Sequence, residues 1–221
     1  MAFLEIKNVS KSFDGTPIIE DTSFAIEAGS TIALTSPSGS GKSTMLSMAG
    51  LLLAPNSGSI VTENGICALS LPDGELSLLR QRLLGFVFQS TQLIGSLRAI
   101  ENVTAPARFV RGKLPFKPEE RAGGLLERFG LADKMLHYPH QLSVGQKRRV
   151  AVARAMLLEP KIIIADEPTN DLDEASAASV SNALFDYAAR GNALLFATHV
   201  PELAARAQTV MKLDGKTFRE I

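Results

Sequence analysis

The sequence predicts an α/β fold with a mixed, mainly parallel core sheet, antiparallel strands near the N-terminus and a helical insertion in the middle. Three observations carry that reading. From residue 143 onward, short apolar runs alternate with helical patterns, as parallel strands joined by crossover helices do. A glycine-rich loop, "SPSGSGKST", lies between a short β-branched run and a helical pattern. Residues 97–140 contain no run that reads as a strand.

The elements follow in order. "AFLEIKNVSKSF" and "EDTSFAIEAGS" alternate apolar and polar residues, the pattern of half-buried antiparallel strands. "TIALTS" is a strand leading into the glycine loop, and residues 42–53 read as the helix that follows. "GSIVTENG" is a strand and turn, residues 73–82 are helical, and "LGFVFQ" is a strand. In the middle, the helical patterns "AIENVTAPARFV" and "KPEERAGGLLERFG" are separated by breaks such as "KLPFKP". A helix over 143–158, the strand "KIIIAD", a helix over 174–190, the strand "ALLFAT", a helix near Pro201 and terminal strands complete the chain. No internal repeat or low-complexity segment interrupts it.

The 221 residues suffice for one domain, or at most two, with a substantial core. Lys and Arg number 23 and so do Asp and Glu, so overall charge gives no reason to expect nucleic acid or a membrane surface as partner. Cys67 is the only cysteine, which excludes an internal disulfide and fits a reducing compartment; it reads as a small apolar filler. The N-terminus lacks a basic head followed by an apolar run, so no signal peptide is expected. No apolar run approaches the ~20 residues that span a bilayer, so any membrane role must go through a partner.

Two stretches carry phosphate chemistry. Gly41, Lys42 and Ser43 fit the end of the pattern G-x-x-x-x-G-K-[ST], whose first glycine is replaced by Ser36, and Gly39 and Thr44 are in place beside them. In such a loop glycines turn backbone N–H groups toward phosphates, the helix N-terminus adds partial positive charge, lysine reaches the β- and γ-phosphates, and Ser43 ligates Mg²⁺. Ser36 precedes Pro37, which confines it to the extended region, so a positive φ is not required there. "IIIADEP" is the complement: a buried strand ending in Asp166 and Glu167. Adjacent strand residues point to opposite sides, so Asp166 is expected to hold Mg²⁺ while Glu167 addresses the attacking water.

"LSVGQKRRVAVARA" adds a third. Ser143 and Gln146 have capping-box spacing, which starts a helix at Ser143 with an anion-binding end. A helix cap needs no ligand. But phosphate loop, LSxGQ-type motif and "ADEP", in this order, resemble the ATP-binding cassette (ABC) ATPases over essentially the whole chain. The resemblance implies a P-loop NTPase fold in one domain, 1–221, with a RecA-like core and antiparallel subdomain from 1–90 and 141–221 and a helical subdomain over about 91–140. It implies ATP and Mg²⁺ as cofactors. Ser36, Pro37, Ser38, Gly39, Ser40, Gly41, Lys42, Ser43 and Thr44 cradle the phosphates, and Phe13 stacks on adenine. Gln89 in "GFVFQ" senses Mg²⁺ or water, Asp173 in "PTNDLD" is the D-loop aspartate, and His199 in "FATHVPEL" contacts the γ-phosphate. Glu167, His199, Gln89 and Lys42 are then the catalytic set, and Ser43, Gln89 and Asp166 the metal set.

Cassettes of this family pair head to tail, so Ser143, Gly145 and Gln146 of one copy face ATP bound to the other. The implied partners are a second copy and integral-membrane permease subunits, placing the chain on the cytoplasmic face of the membrane, with no role for nucleic acid. The sequence departs from the family pattern at Ser36, at Val144 in place of a glycine, and at Asp171. With Ser143 as cap, Val144 is the first helical residue and needs no glycine. Asp171 puts an extra carboxylate near the γ-phosphates, which repels them and weakens the closed dimer.

The run "LPDGELSLLRQRLLGFVFQSTQLIGSLRAIENV" resembles the macrolide-export, lipoprotein-release and cell-division branch, whose members export or extract drugs, peptides, lipoproteins or haem. Amino-acid importers share many of these residues, and a non-transport cell-division regulator is a further alternative. Residues 90–103, with apolar Leu93, Ile94 and Leu97, are the expected permease contact.

Overall fold

The structure, a computed structural model, describes residues 2–37 and 39–221. β1 (Ala2–Phe13) and β2 (Thr16–Glu27) form an antiparallel hairpin. Its turn is Asp14–Gly15, both left-handed at φ 48° and 76°, the backbone that a tight right-twisted hairpin requires. β3 (Thr31–Thr35) runs into the glycine loop and α1 (Lys42–Ala49). β4 (Ser57–Thr62) returns to the hairpin, giving a three-stranded antiparallel sheet in the order β2-β1-β4. α2 (Asp73–Leu83) leads to β5 (Leu84–Val87). The middle holds α3 (Ala99–Thr104) and α4 (Pro118–Arg128), together with short 3₁₀ turns and no strand among the described residues. α5 (Val144–Met156), β6 (Ile162–Asp166), α6 (Glu174–Ala189), β7 (Ala193–Ala197), α7 (Pro201–Ala204), β8 (Thr209–Asp214) and β9 (Thr217–Glu220) follow.

The second sheet has the order β5-β6-β7-β3-β8-β9, parallel throughout except for the antiparallel β8–β9 pair. It is the middle layer of the molecule. Ala33, Ile163, Ala165, Leu194 and Phe196 face one core with residues of α3, α4, α5 and α6. Ile32, Leu34, Ile162, Ile164 and Leu195 face the other, with α1 and the antiparallel sheet. The period-2 alternation of a strand thus divides the apolar residues between two cores. No helix is long and apolar enough to cross a membrane among the described residues.

Several elements end earlier than the apolar pattern predicts, three of them for a visible local reason. α1 stops at Ala49, not near 53, because Leu51 turns left-handed (φ 56°) and the N–H groups of Gly50 and Leu52 close back onto Leu46 and Ser47. α3 gives way to a 3₁₀ turn over Ala105–Phe109, since Pro106 has no N–H to continue the α-helical ladder. β5 ends at Val87 rather than Gln89, and the carbonyls of Phe88 and Gln89 bond to Arg148 instead of to β6.

Candidate functional site

Parallel strands place their carboxyl ends along one edge, which is where open α/β sheets bind ligands. Four neighbouring strands, β5-β6-β7-β3, deliver their following residues to that edge. β5 is followed by Gln89, β6 closes on Asp166 and Glu167, β7 leads to His199, and β3 leads to the glycine loop. The strand order accounts for how residues far apart in sequence meet. Backbone bonds across the edge fix the heights: Glu167 N–H donates to the Ala197 carbonyl (3.0 Å) and Thr198 N–H to the Leu34 carbonyl (3.1 Å).

A cleft of about 280 Å³ opens there, lined by Phe13, Gly39, Gly41, Lys42, Ser43, Thr44, Gln89, Asp166 and Glu167, with Ile18 as a member the sequence reading missed. Lys42 is 7% exposed; its Nζ donates to the carbonyls of Ser36 (2.7 Å) and Pro37 (3.2 Å) and lies 4.0 Å from Glu167 Oε1. Among the described loop residues the left-handed positions are Gly39 (φ 76°) and Gly41 (φ 110°), and Ser36 is not one of them. A Cβ at Gly41 would come within 2.9 Å of Ile18 and Ile19, so that glycine is required by space as well as by φ. The Ser36 and Ser40 hydroxyls pair across the loop. Ser38 lies outside the described residues. Ser36 therefore sits in a backbone any L-residue adopts and adds an internal hydrogen bond. Ser36→Gly is expected to leave ATP affinity no tighter in a titration, and a gain of about tenfold (about 1.4 kcal/mol) would contradict this.

The acidic pair corrects one expectation. Asp166 and Glu167 do not point to opposite sides: both line the cleft. Strand alternation fails because Glu167 has left the strand, with φ at 45°. Glu167 is 9% exposed, and its Oε2 lies 2.9 Å from His199 Nδ1 and accepts from the His199 N–H at 3.3 Å. An ionised Glu167 thus places a proton on Nδ1. Burial raises the pKa of the Asp166 carboxyl; Ser43, Lys42 and Arg148 pull it back and the Glu167 charge adds to the rise.

Ser143, Gly145, Gln146 and Asp173 form a second group that does not line the cleft. Ser143 caps α5, its hydroxyl accepting from Gln146 N–H (3.2 Å) while Gln146 Oε1 accepts from Ser143 N–H (2.9 Å). Val144 is the first helical residue and is exposed. Asp173 caps α6 by accepting from Ser176 N–H at 2.9 Å, and those hydrogen bonds to Ser176 lower its pKa. Gly145 packs directly on α6: an added Cβ would meet Ser176 Oγ at 2.4 Å.

Arg148, which the sequence reading passed over, also touches the cleft's frame, through the Gln89 carbonyl. Its signal was only a basic residue on the inward face of α5.

Residues 19–170 match a family model described as ABC transporter. The lipoprotein-releasing system ATP-binding protein LolD 2 of Rhodospirillum rubrum is 41% identical, across 98% of this chain and 96% of that one. The pyoverdine export ATP-binding/permease protein PvdT of Pseudomonas fluorescens is 39% identical across 98% of this chain, which spans 34% of that longer protein. Among solved structures, the cassette MJ0796, dimeric in a post-hydrolysis state with ADP and Pi, superposes with a TM-score of 0.90 at 34% identity, covering 99% of this chain and 97% of that one.

Proposed function

The chain belongs to the ABC transporter family, as an ATP-binding subunit with ATPase activity, and from that premise we propose that two copies close around two ATP to drive a separate membrane exporter or extractor of lipophilic or amphipathic cargo. The observation that carries this reading is the separation of the two residue groups. The cleft holds the phosphate loop and the acids, whereas Ser143 and Gly145 lie outside it. A second copy brings its Ser143 helix end to the first copy's cleft, so each ATP is held by both. The lipoprotein-releasing and pyoverdine-export relatives support export or extraction.

The cleft residues, with His199 reaching them through Glu167, divide the work. Lys42 exchanges the Ser36 and Pro37 carbonyls for the β- and γ-phosphates when ATP enters, and the exposed Phe13 ring stacks on the base. The Ser43 hydroxyl, Asp166 carboxylate and Gln89 amide are oxygen donors of the kind Mg²⁺ takes, and they line one cleft. When bound, the ion offsets charge on the phosphate oxygens. Glu167 takes the proton of the attacking water, and His199, held on Glu167 Oε2, turns toward the γ-phosphate.

The permease docks in an apolar groove of about 470 Å³ between α2, β5 and the segment following it, with Phe86, Phe88, Ile94 and Phe109 on its walls. Ile94 and Phe109 are 48% and 77% exposed, more apolar surface than water contact alone favours. On this reading the chain lies on the cytoplasmic membrane face through the permease, and residues 91–140 form a helical subdomain bearing part of the groove.

The test is a cysteine crosslink. In a Cys67→Ser background, Ile94→Cys is expected to crosslink to a cytoplasmic loop of a co-expressed permease, and the purified complex to hydrolyse ATP in a vanadate-sensitive, cargo-stimulated manner. A cassette that neither crosslinks nor co-purifies with any membrane protein would overturn the transporter reading.

A further inference from the structure

Helix α5 carries a buried arginine for which the proposed chemistry has no use. Arg148 is 4% exposed. Its Nη1 donates to the Phe88 carbonyl and its Nη2 to the Gln89 carbonyl, both at 2.7 Å. These residues lie just past β5, where pairing with β6 has stopped at Val87. A planar fork across two successive carbonyls is a geometry that the point charge of a lysine does not reproduce. Further along α5, Arg154 donates in the same way to the carbonyls of Gln92 (2.9 Å) and Thr91 (3.0 Å). Four carbonyls of the segment that begins with Gln89's neighbour are thus held by one helix, whose other end is the Ser143 cap.

Packing alone does not account for Arg148. Its Nε is buried with no hydrogen-bond partner among the described residues, and both a stranded donor and a desolvated guanidinium oppose folding. Burial pulls the guanidinium pKa down, while the charges of Asp171 and Asp166 pull it back up.

We propose that Arg148 is a positioning residue: by gripping the Phe88 and Gln89 carbonyls, it sets where the Gln89 side chain stands in the cleft. The proposal rests on the reading of Gln89 as a group that acts on Mg²⁺ or water.

The experiment is steady-state ATPase kinetics and melting on the full chain for Arg148→Gln, Arg148→Lys, Gln89→Ala and the Arg148→Gln/Gln89→Ala double variant. Arg148→Gln is expected to lower kcat about 10- to 100-fold, the order that a displacement of about 1 Å costs. KM for ATP stays within about threefold, because Phe13, Lys42 and the glycine loop are untouched. Arg148→Lys does not restore kcat, and in the Gln89→Ala background Arg148→Gln adds little, the non-additivity of groups acting as a unit.

Each failure has its own meaning. If Gln89→Ala leaves kcat unchanged, the reading of Gln89 is wrong. If Gln89→Ala lowers kcat while Arg148→Gln does not, or the two effects multiply, Arg148 does not position Gln89. If Arg148→Gln fails to fold, Arg148→Lys is read instead, with the same expected fall and the same coupling. Failure of both to fold assigns Arg148 to folding and overturns the proposal.

Discussion

Glu167→Gln is expected to bind ATP, form a dimer and stall. The amide is nearly isosteric with the carboxylate, and its Oε1 can still accept from the His199 N–H and ring. The cleft therefore keeps its shape. Two things are lost together. The amide does not accept a proton from water at neutral pH, and a positioned general base is worth about 10²–10⁴-fold in rate. A negative charge 4.0 Å from Lys42 Nζ is also removed from a cleft that must admit a triphosphate. The first change lowers kcat by at least about 100-fold; the second strengthens nucleotide binding. Size-exclusion chromatography should give a dimer with ATP and a monomer without it, while phosphate release is near background. Substantial turnover in this variant would remove Glu167 from the role of base. His199→Ala separates the partners: it leaves the carboxylate in place, so it slows turnover less than Glu167→Gln does.

What sequence reveals of this molecule follows the range of the interactions involved. The phosphate loop is legible because Gly39, Gly41, Lys42 and Ser43 act within a few residues, between a strand and a helix that announce themselves. The Ser143–Gln146 cap is legible for the same reason, and both of its hydrogen bonds form. The run "IIIAD" is legible as a buried strand, and its alternation puts Ile162 and Ile163 into opposite cores. It fails one residue past the strand, where a left-handed Glu167 swings back to the side of Asp166. The same kind of event hides the end of α1, because Leu51, Leu52 and Leu53 continue an apolar pattern while the backbone at Leu51 has already reversed. Arg148 is out of reach altogether. Its partners lie 59 and 60 positions away, and nothing local to "QKRRV" tells a gripping arginine from a solvated one. The cleft thus reads in its parts, but its frame depends on contacts that exist only once β5, β6 and α5 have packed.

Gly145→Ala separates two reasons for one glycine. The family resemblance reads Gly145 as the place where a helix end approaches the phosphates of ATP in another copy. The structure supplies a second reason within the chain: the new Cβ would sit 2.4 Å from Ser176 Oγ and 2.9 Å from Ser176 Cβ. Those distances are below any real contact, and Ser176 is buried at the start of α6, so α5 and α6 must shift apart. Overpacking of this kind costs about 1–3 kcal/mol, which for a domain of this size lowers Tm by about 2–12 °C. Ser176→Gly removes both clashing atoms while leaving the Asp173 cap its backbone N–H partner. The Gly145→Ala/Ser176→Gly double variant is therefore expected to regain part of the lost Tm, the glycine in α6 retaining a cost of up to about 1 kcal/mol. Its ATPase decides between the reasons. If the approach of the Gly145 backbone to ATP in the other copy tolerates no shift of α5, activity stays low after stability returns. If activity recovers along with Tm, the glycine serves the α5–α6 contact alone and the trans contact belongs to Ser143.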